Sequence, residues 1–171
     1  LNFAHKYLKL NEIGWRENVG LPELGLSTLR AKIDTGARTS ALHATGIDTF
    51  ERDGRKFVSF NASGDKRSVI LRCTFPIADQ RGIKNTSGVQ EQRIVINTIL
   101  VLGSRHWHVE LSLADRENMG FELILGRTAI RTHNLLVNPG RSFLAGPPKQ
   151  LAQKHKNSAP SSIEATMDLK T

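Results

Sequence analysis

The chain has 171 residues, 39% of them apolar, and a formal net charge of +8. That length allows one domain with a sizeable buried core, and no apolar run approaches the roughly 18 residues of a membrane helix, so no membrane partner is expected. The single cysteine, Cys73, excludes an internal disulfide and Cys-rich zinc sites. It lies in the apolar run VILRCTF and reads as a buried free thiol. The chain starts at Leu1 rather than Met, which leaves room for a trimmed N-terminus.

The charge is unevenly spread. Between Arg52 and Arg105 there are ten Lys or Arg against four Asp or Glu, a local balance of +6. Such a surplus favours anionic partners. No stretch interleaves basic and aromatic residues, and aromatics make up only 6% of the chain, so nucleic acid is not the expected partner. An acidic peptide or protein is.

In chain order, residues 1–11 (LNFAHKYLKLN) read as an N-terminal arm. IGWREN, LRAKID and SALHATGIDTF read as strands. Asp53-Gly54 inside ERDGRK is a hairpin signal. KFVSFNA leads to a second turn at Ser63-Gly64-Asp65, and RSVILRCTF reads as a strand buried on both faces. The polar segment 77–90 (IADQRGIKNTSGVQ) reads as a long loop or hairpin. QRIVINTILVLG is a strand. HWHVELSL alternates, with Trp107, Val109, Leu111 and Leu113 on one face and His106, His108, Glu110 and Ser112 on the other. ADRENMG reads as a turn, FELILGR as a short strand ending at Gly126, and TAIRTHN as one or two helical turns. LLVNPGRSFLAG closes a domain over 12–146, and 147–171 reads as a flexible polar tail. Short, evenly spaced strands argue for an all-β closed barrel.

The chemistry centres on AKIDTGARTSALHA. The run Leu29 to Ile33 places the Asp34 carboxylate at a strand end. Gly36 allows a sharp turn, and the Thr35 hydroxyl can tie it down. A rigid carboxylate suits a general base. The two-carboxylate hydrolytic mechanism needs two Asp side chains sharing a proton, and this chain has one Asp-Thr-Gly. The twin must come from a second copy across a two-fold axis, so a homodimer is expected.

Asp34-Thr35-Gly36-Ala37 together with Ile124-Leu125-Gly126-Arg127 resembles the retropepsin pattern. With GVQEQRIVI, VELSLADRENMGFELILGRTAI and LLVNPGRSFLAG, the chain more closely resembles a bacterial family named as RimK-associated, or ATP-dependent, zinc proteases, whose fold is retropepsin-like. The resemblance runs from about Ile13 to Gly146. It implies a barrel with one short helix and peptidase activity. Asp34 would be the catalytic carboxylate, held by Thr35 and Gly36. Lys32, Ala37, Arg38, Gly126 and Arg127 would support the loop or bind substrate, and 77–90 would be a flap. It also implies a link to glutamate-rich substrates. The single cysteine is compatible with cytoplasm or periplasm, and the compartment stays open, with the bacterial cytoplasm favoured.

Lys32 and Arg38 depart from the retroviral pattern. A cation on Asp34 would hold it ionised and prevent proton sharing. Two alternatives therefore stand beside the peptidase. One is a non-catalytic module gripping acidic peptide with Arg38, Arg81, Lys84 and Arg93. The other is a metal-dependent hydrolase using His106, His108 and Glu110, three side chains on one strand face. Beyond those there is no metal motif, and zinc enters only through the family's name. ATP finds no Gly-rich phosphate loop, so no cofactor is expected. Arg127 is expected to pair with a carboxylate.

Overall fold

The computed structural model describes residues 11–64, 70–84, 88–115, 120–151 and 164–165. Residues 1–10 of the arm, His5, His155, the centre of ADRENMG, Asp65 and most of the tail lie outside the described residues. Strands dominate. In chain order they are β1 (Asn11–Gly14), β2 (Arg16–Leu21), β3 (Leu26–Asp34), β4 (Ser40–His43), β5 (Thr45–Arg52), β6 (Arg55–Ser63) and β7 (Ile70–Pro76). There follow β8 (Asp79–Lys84), β9 (Gln90–Leu102), β10 (Arg105–Ala114), β11 (Leu123–Gly126), the single-turn helix α1 (Arg127–Ile130), β12 (Leu135–Asn138) and β13 (Glu164–Ala165).

Six strands close into a mixed barrel in the order β10-β4-β11-β3-β2-β9, with β9 returning to pair with β10. The alternation of each strand sets the inside. On β3, Leu29, Ala31 and Ile33 are buried while Arg30 and Lys32 are exposed, the period-two pattern of a strand with one wet face. Leu42, Ile96, Leu100, Leu111, Leu123 and Leu125 fill the same core. The chain crosses the barrel through two parallel pairings, β4 beside β10 and β11 beside β3.

The run SALHATGIDTF does not form one strand. It breaks at Ala44, so that β4 joins the barrel and β5 starts a second antiparallel sheet, β5-β6-β7, with β13 on the β7 edge. The β5–β6 turn is at Asp53-Gly54, both with positive φ (52° and 71°), which only a glycine-rich two-residue hairpin accepts readily. RSVILRCTF is buried on one face only. Its described part has Cys73 and Phe75 inside and Ile70 52% exposed, because β7 covers the barrel with one side and leaves the other to solvent. Burial pushes the Cys73 thiol up to about 11, against a smaller opposing effect of Arg72, so it is an inert core side chain. Segment 77–90 contributes a strand, β8, paired antiparallel with the start of β9. It is a hairpin rather than an irregular loop.

IGWREN also divides, at Trp15, into β1 and β2. β1 pairs in parallel with β12. The joint is held by Glu17, which is fully buried. Its Oε1 accepts N–H bonds from Gly14 (2.6 Å) and Leu144 (2.9 Å), and its Oε2 accepts one from Ala145 (3.2 Å). One carboxylate thus fastens the closing segment to the barrel. After Pro148, the Lys149 N–H bonds the Gly103 carbonyl at 2.8 Å. Among the described residues, no helix is long and apolar enough to cross a membrane.

Replacing Glu17 by Ala strands three N–H donors. The expected cost is about 3 kcal/mol or more in urea unfolding. Glu17→Gln, which keeps one carbonyl oxygen, should lose clearly less. A loss below about 1 kcal/mol for the Ala variant would contradict this role.

Candidate functional site

Asp34 is the last residue of β3 and is half-buried. Its Oδ1 accepts N–H bonds from Gly36 and Ala37, both at 3.0 Å. The turn therefore orients its own carboxylate through local amides, an arrangement that Asp favours at turns. Thr35 and Gly36 are exposed.

The segment that follows is pinned beneath the end of β11. Arg127 N–H donates to Ala37 O (2.8 Å) and Thr128 N–H to Arg38 O (3.2 Å). The Thr128 hydroxyl also donates to Arg38 O, at 2.9 Å. Gly126 N–H donates to the buried Ser40 hydroxyl (3.1 Å), and the Ser112 hydroxyl to Ser40 O (2.9 Å). A Cβ on Gly126 would lie 2.8 Å from Arg38 O and from the Thr39 carbonyl carbon. The crossing is backbone against backbone, and only glycine permits it.

Arg127 pairs with no carboxylate among the described residues. Its Nη1 donates to the carbonyls of Thr35 (2.8 Å) and Gly36 (2.9 Å). One guanidinium thus satisfies the outward carbonyls of the turn whose amides hold Asp34. Neither Lys32 nor Arg38 forms an ion pair with Asp34 among the described residues, and both are exposed.

Strand register fixes what shares a face with Asp34. Gly126 stands opposite Asp34, and Ile124 opposite Lys32. Arg16 stands opposite Lys32 on the other side. Arg16, Lys32 and Asp34 therefore lie on the outer face of the barrel wall. The Arg16 guanidinium sits between the rings of Trp15 (4.7 Å) and Phe143 (5.1 Å) and bonds the Ser142 hydroxyl at 3.1 Å.

The remaining candidates lie elsewhere. Arg81 and Arg93 stand opposite one another on β8 and β9, and each has carboxylates within the chain. Arg81 pairs with Asp79 (2.7 Å) and Glu110 (3.0 Å), and Arg93 with Glu91 (2.9 Å). The Lys84 side chain lies outside the described residues. His106 and His108 are exposed on β10, while Glu110 is occupied by Arg81. Among the described residues, no group of three or more His, Cys, Asp or Glu side chains could hold a metal ion.

Sequence reasoning missed Ser40 and Ser112, whose hydroxyls lock the crossing. Ser112 fell on the face of β10 that reads as wet, yet it is 1% exposed, because β4 covers that end of the strand. The aromatic seat of Arg16 was equally hidden, since Phe143 is far away in sequence.

A family model described as RimB-like, retropepsin-like aspartic endopeptidase RimB, matches residues 12–148. Among curated relatives, a "Probable alpha-L-glutamate ligase" of Desulfotalea psychrophila is 45% identical over 137 residues, which are 78% of this chain and 29% of that protein. One of the same name from Shewanella pealeana is 41% identical over 136 residues, 78% of this chain and 30% of that protein. The chain thus spans about 30% of the length of these relatives. A crystal structure of a Legionella pneumophila protein of unknown function is similar with a TM-score of 0.66 and 26% identity, covering 78% of this chain and 97% of that one.

Arg127→Met should speed amide exchange at Gly36 and Ala37 about fivefold, equivalent to about 1 kcal/mol of local stability for an exposed charge-assisted bond. Global unfolding should change little. Unchanged exchange at these two amides would contradict the brace. Gly126→Ala should cost about 1–3 kcal/mol by forcing the crossed backbones apart, read by thermal unfolding.

Proposed function

The chain belongs to the RimB-like family of retropepsin-like aspartic endopeptidases, and from that premise we propose that it hydrolyses peptide bonds as a symmetric homodimer with Asp34 of each subunit at the centre. One Asp34 carboxylate, ionised, takes a proton from water while the water oxygen attacks the scissile carbonyl carbon. The other, protonated, donates to the carbonyl oxygen. Collapse of the tetrahedral intermediate re-forms the carbonyl and expels the amine, which takes the proton the first carboxylate had removed from water, while a hydroxyl proton of the intermediate returns to the second.

The observation that carries this reading is the state of Asp34. It is fixed by the Gly36 and Ala37 amides and bears no ion pair with a described residue. The Arg127 guanidinium is turned to the Thr35 and Gly36 carbonyls instead. The carboxylate is thus left to meet its twin, and Thr35 and Gly36 are exposed where a second subunit would approach. The β8–β9 hairpin would act as the flap that excludes water from bound peptide.

Acidic, glutamate-rich peptides are the substrate class we assign. Lys32 and Arg38 flank Asp34 and are exposed, and the curated relatives carry this region in proteins named as glutamate ligases. That last support is an analogy of context. A non-catalytic acidic-peptide module would draw on the same two cations. Its further candidates Arg81 and Arg93 already hold carboxylates of their own chain.

Asp34→Asn should abolish cleavage of an acidic peptide, by at least about a hundredfold, with an unchanged circular dichroism spectrum. A pepstatin-like inhibitor should block the wild type, and a chelator should leave it active. Cleavage surviving in the Asn variant, or lost on chelation, would contradict the aspartic mechanism.

A further inference from the structure

A two-fold axis that brings Asp34 to its twin also brings every neighbour on that face to its own copy. The neighbours are mostly cations. Arg16 stands in register beside Lys32, and Arg30 lies two residues back along β3 on the same side. Arg38 and Arg127 flank the Asp-Thr-Gly turn. Asp34 is itself an acid of this face, and Glu122, immediately before β11, is buried at 6% exposure. Arg30 and Glu122 are both engaged within the molecule. Arg127 is spread over two carbonyls and Arg16 lies between two rings. Lys32 and Arg38 remain, exposed and in no ion pair among the described residues. Doubling this face across the axis brings like charges toward like, and at 0.1 M salt charges are felt over roughly 10 Å.

We infer that dimerisation is coupled to an acidic peptide, whose carboxylates lie between the subunits and neutralise Lys32 and Arg38 of both copies. This rests on the proposed homodimer and adds its control. Unliganded chains repel through the face that carries Asp34. A segment rich in Glu or Asp binds the pair better than the single chain and so draws the pair together by mass action. The water-activating centre is then assembled only where its substrate is present. The coupling carries a sign that a neutral interface lacks. Without peptide, added salt screens repulsion and tightens the dimer. With acidic peptide, added salt weakens it.

The test is sedimentation equilibrium of the full chain as Asp34→Asn, which prevents cleavage and, by removing one acid per chain, sharpens the contrast. The probes are a peptide of about ten residues alternating Glu and Ala and its Gln-for-Glu isostere. The acidic peptide should lower the dimer dissociation constant at least about tenfold, and the isostere should leave it unchanged. Lys32→Gln combined with Arg38→Gln, both at exposed positions, should dimerise without peptide and lose the response. An equal effect of both peptides, no effect of either, or an unaltered response in the double variant overturns the coupling. Peptide-driven dimers whose wild-type form never cleaves would overturn the hydrolytic reading and leave the coupling standing. Cleavage by a dimer indifferent to peptide charge overturns the coupling alone. A chain that stays monomeric throughout overturns both.

Discussion

The structure turns on one crossing, where the backbone after Asp34 runs beneath the end of β11 with nothing but Gly126 between them. A side chain there would collide with the Arg38 carbonyl. With glycine, the Arg127 and Thr128 N–H groups donate to the Ala37 and Arg38 carbonyls, and Ser40 and Ser112 lock the buried side. The carboxylate at the strand end is then fixed with no ion pair to a described residue. Its amides come from its own turn, and the carbonyls of that turn are taken by Arg127.

That division of labour matters electrostatically. A guanidinium on the carboxylate would hold it ionised and block any sharing of a proton. Placed on the carbonyls, the same charge stiffens the loop and leaves the acid available. The barrel supports the arrangement from a distance. β3 and β11 lie parallel and in register up to Asp34 and Gly126, so the turn and its brace leave the sheet side by side. Glu17 secures the closing segment, and that segment delivers Phe143 to the Arg16 cation on the face of Asp34.

Much of this was legible in the residues. Alternation on β3 and β10, the Asp53-Gly54 turn and the apolar run closed by Gly126 all follow from side-chain period and backbone freedom, which are local properties. What stayed hidden depends on contacts between distant segments. RSVILRCTF looks buried throughout because its apolar residues are consecutive, yet β7 turns only one face to the barrel and leaves the other to solvent. SALHATGIDTF looks continuous because nothing in its composition marks Ala44 as the point where the chain leaves one sheet for another. Arg127 was expected to seek a carboxylate, the stronger partner in isolation. Geometry gave it two carbonyls instead. Nothing in IGWREN marks Glu17 as the buried fastener it is in the fold.

The central claim is that activity belongs to a pair of Asp34 side chains and not to one. Mixing wild-type chains with Asp34→Asn chains, after dissociation and reassembly, tests it directly by the rate of peptide cleavage against the wild-type fraction. Random pairing predicts that activity follows the square of that fraction, so an equal mixture keeps about a quarter of the full rate. A straight-line dependence, with about half the rate at an equal mixture, would show that each chain works alone and would contradict the account.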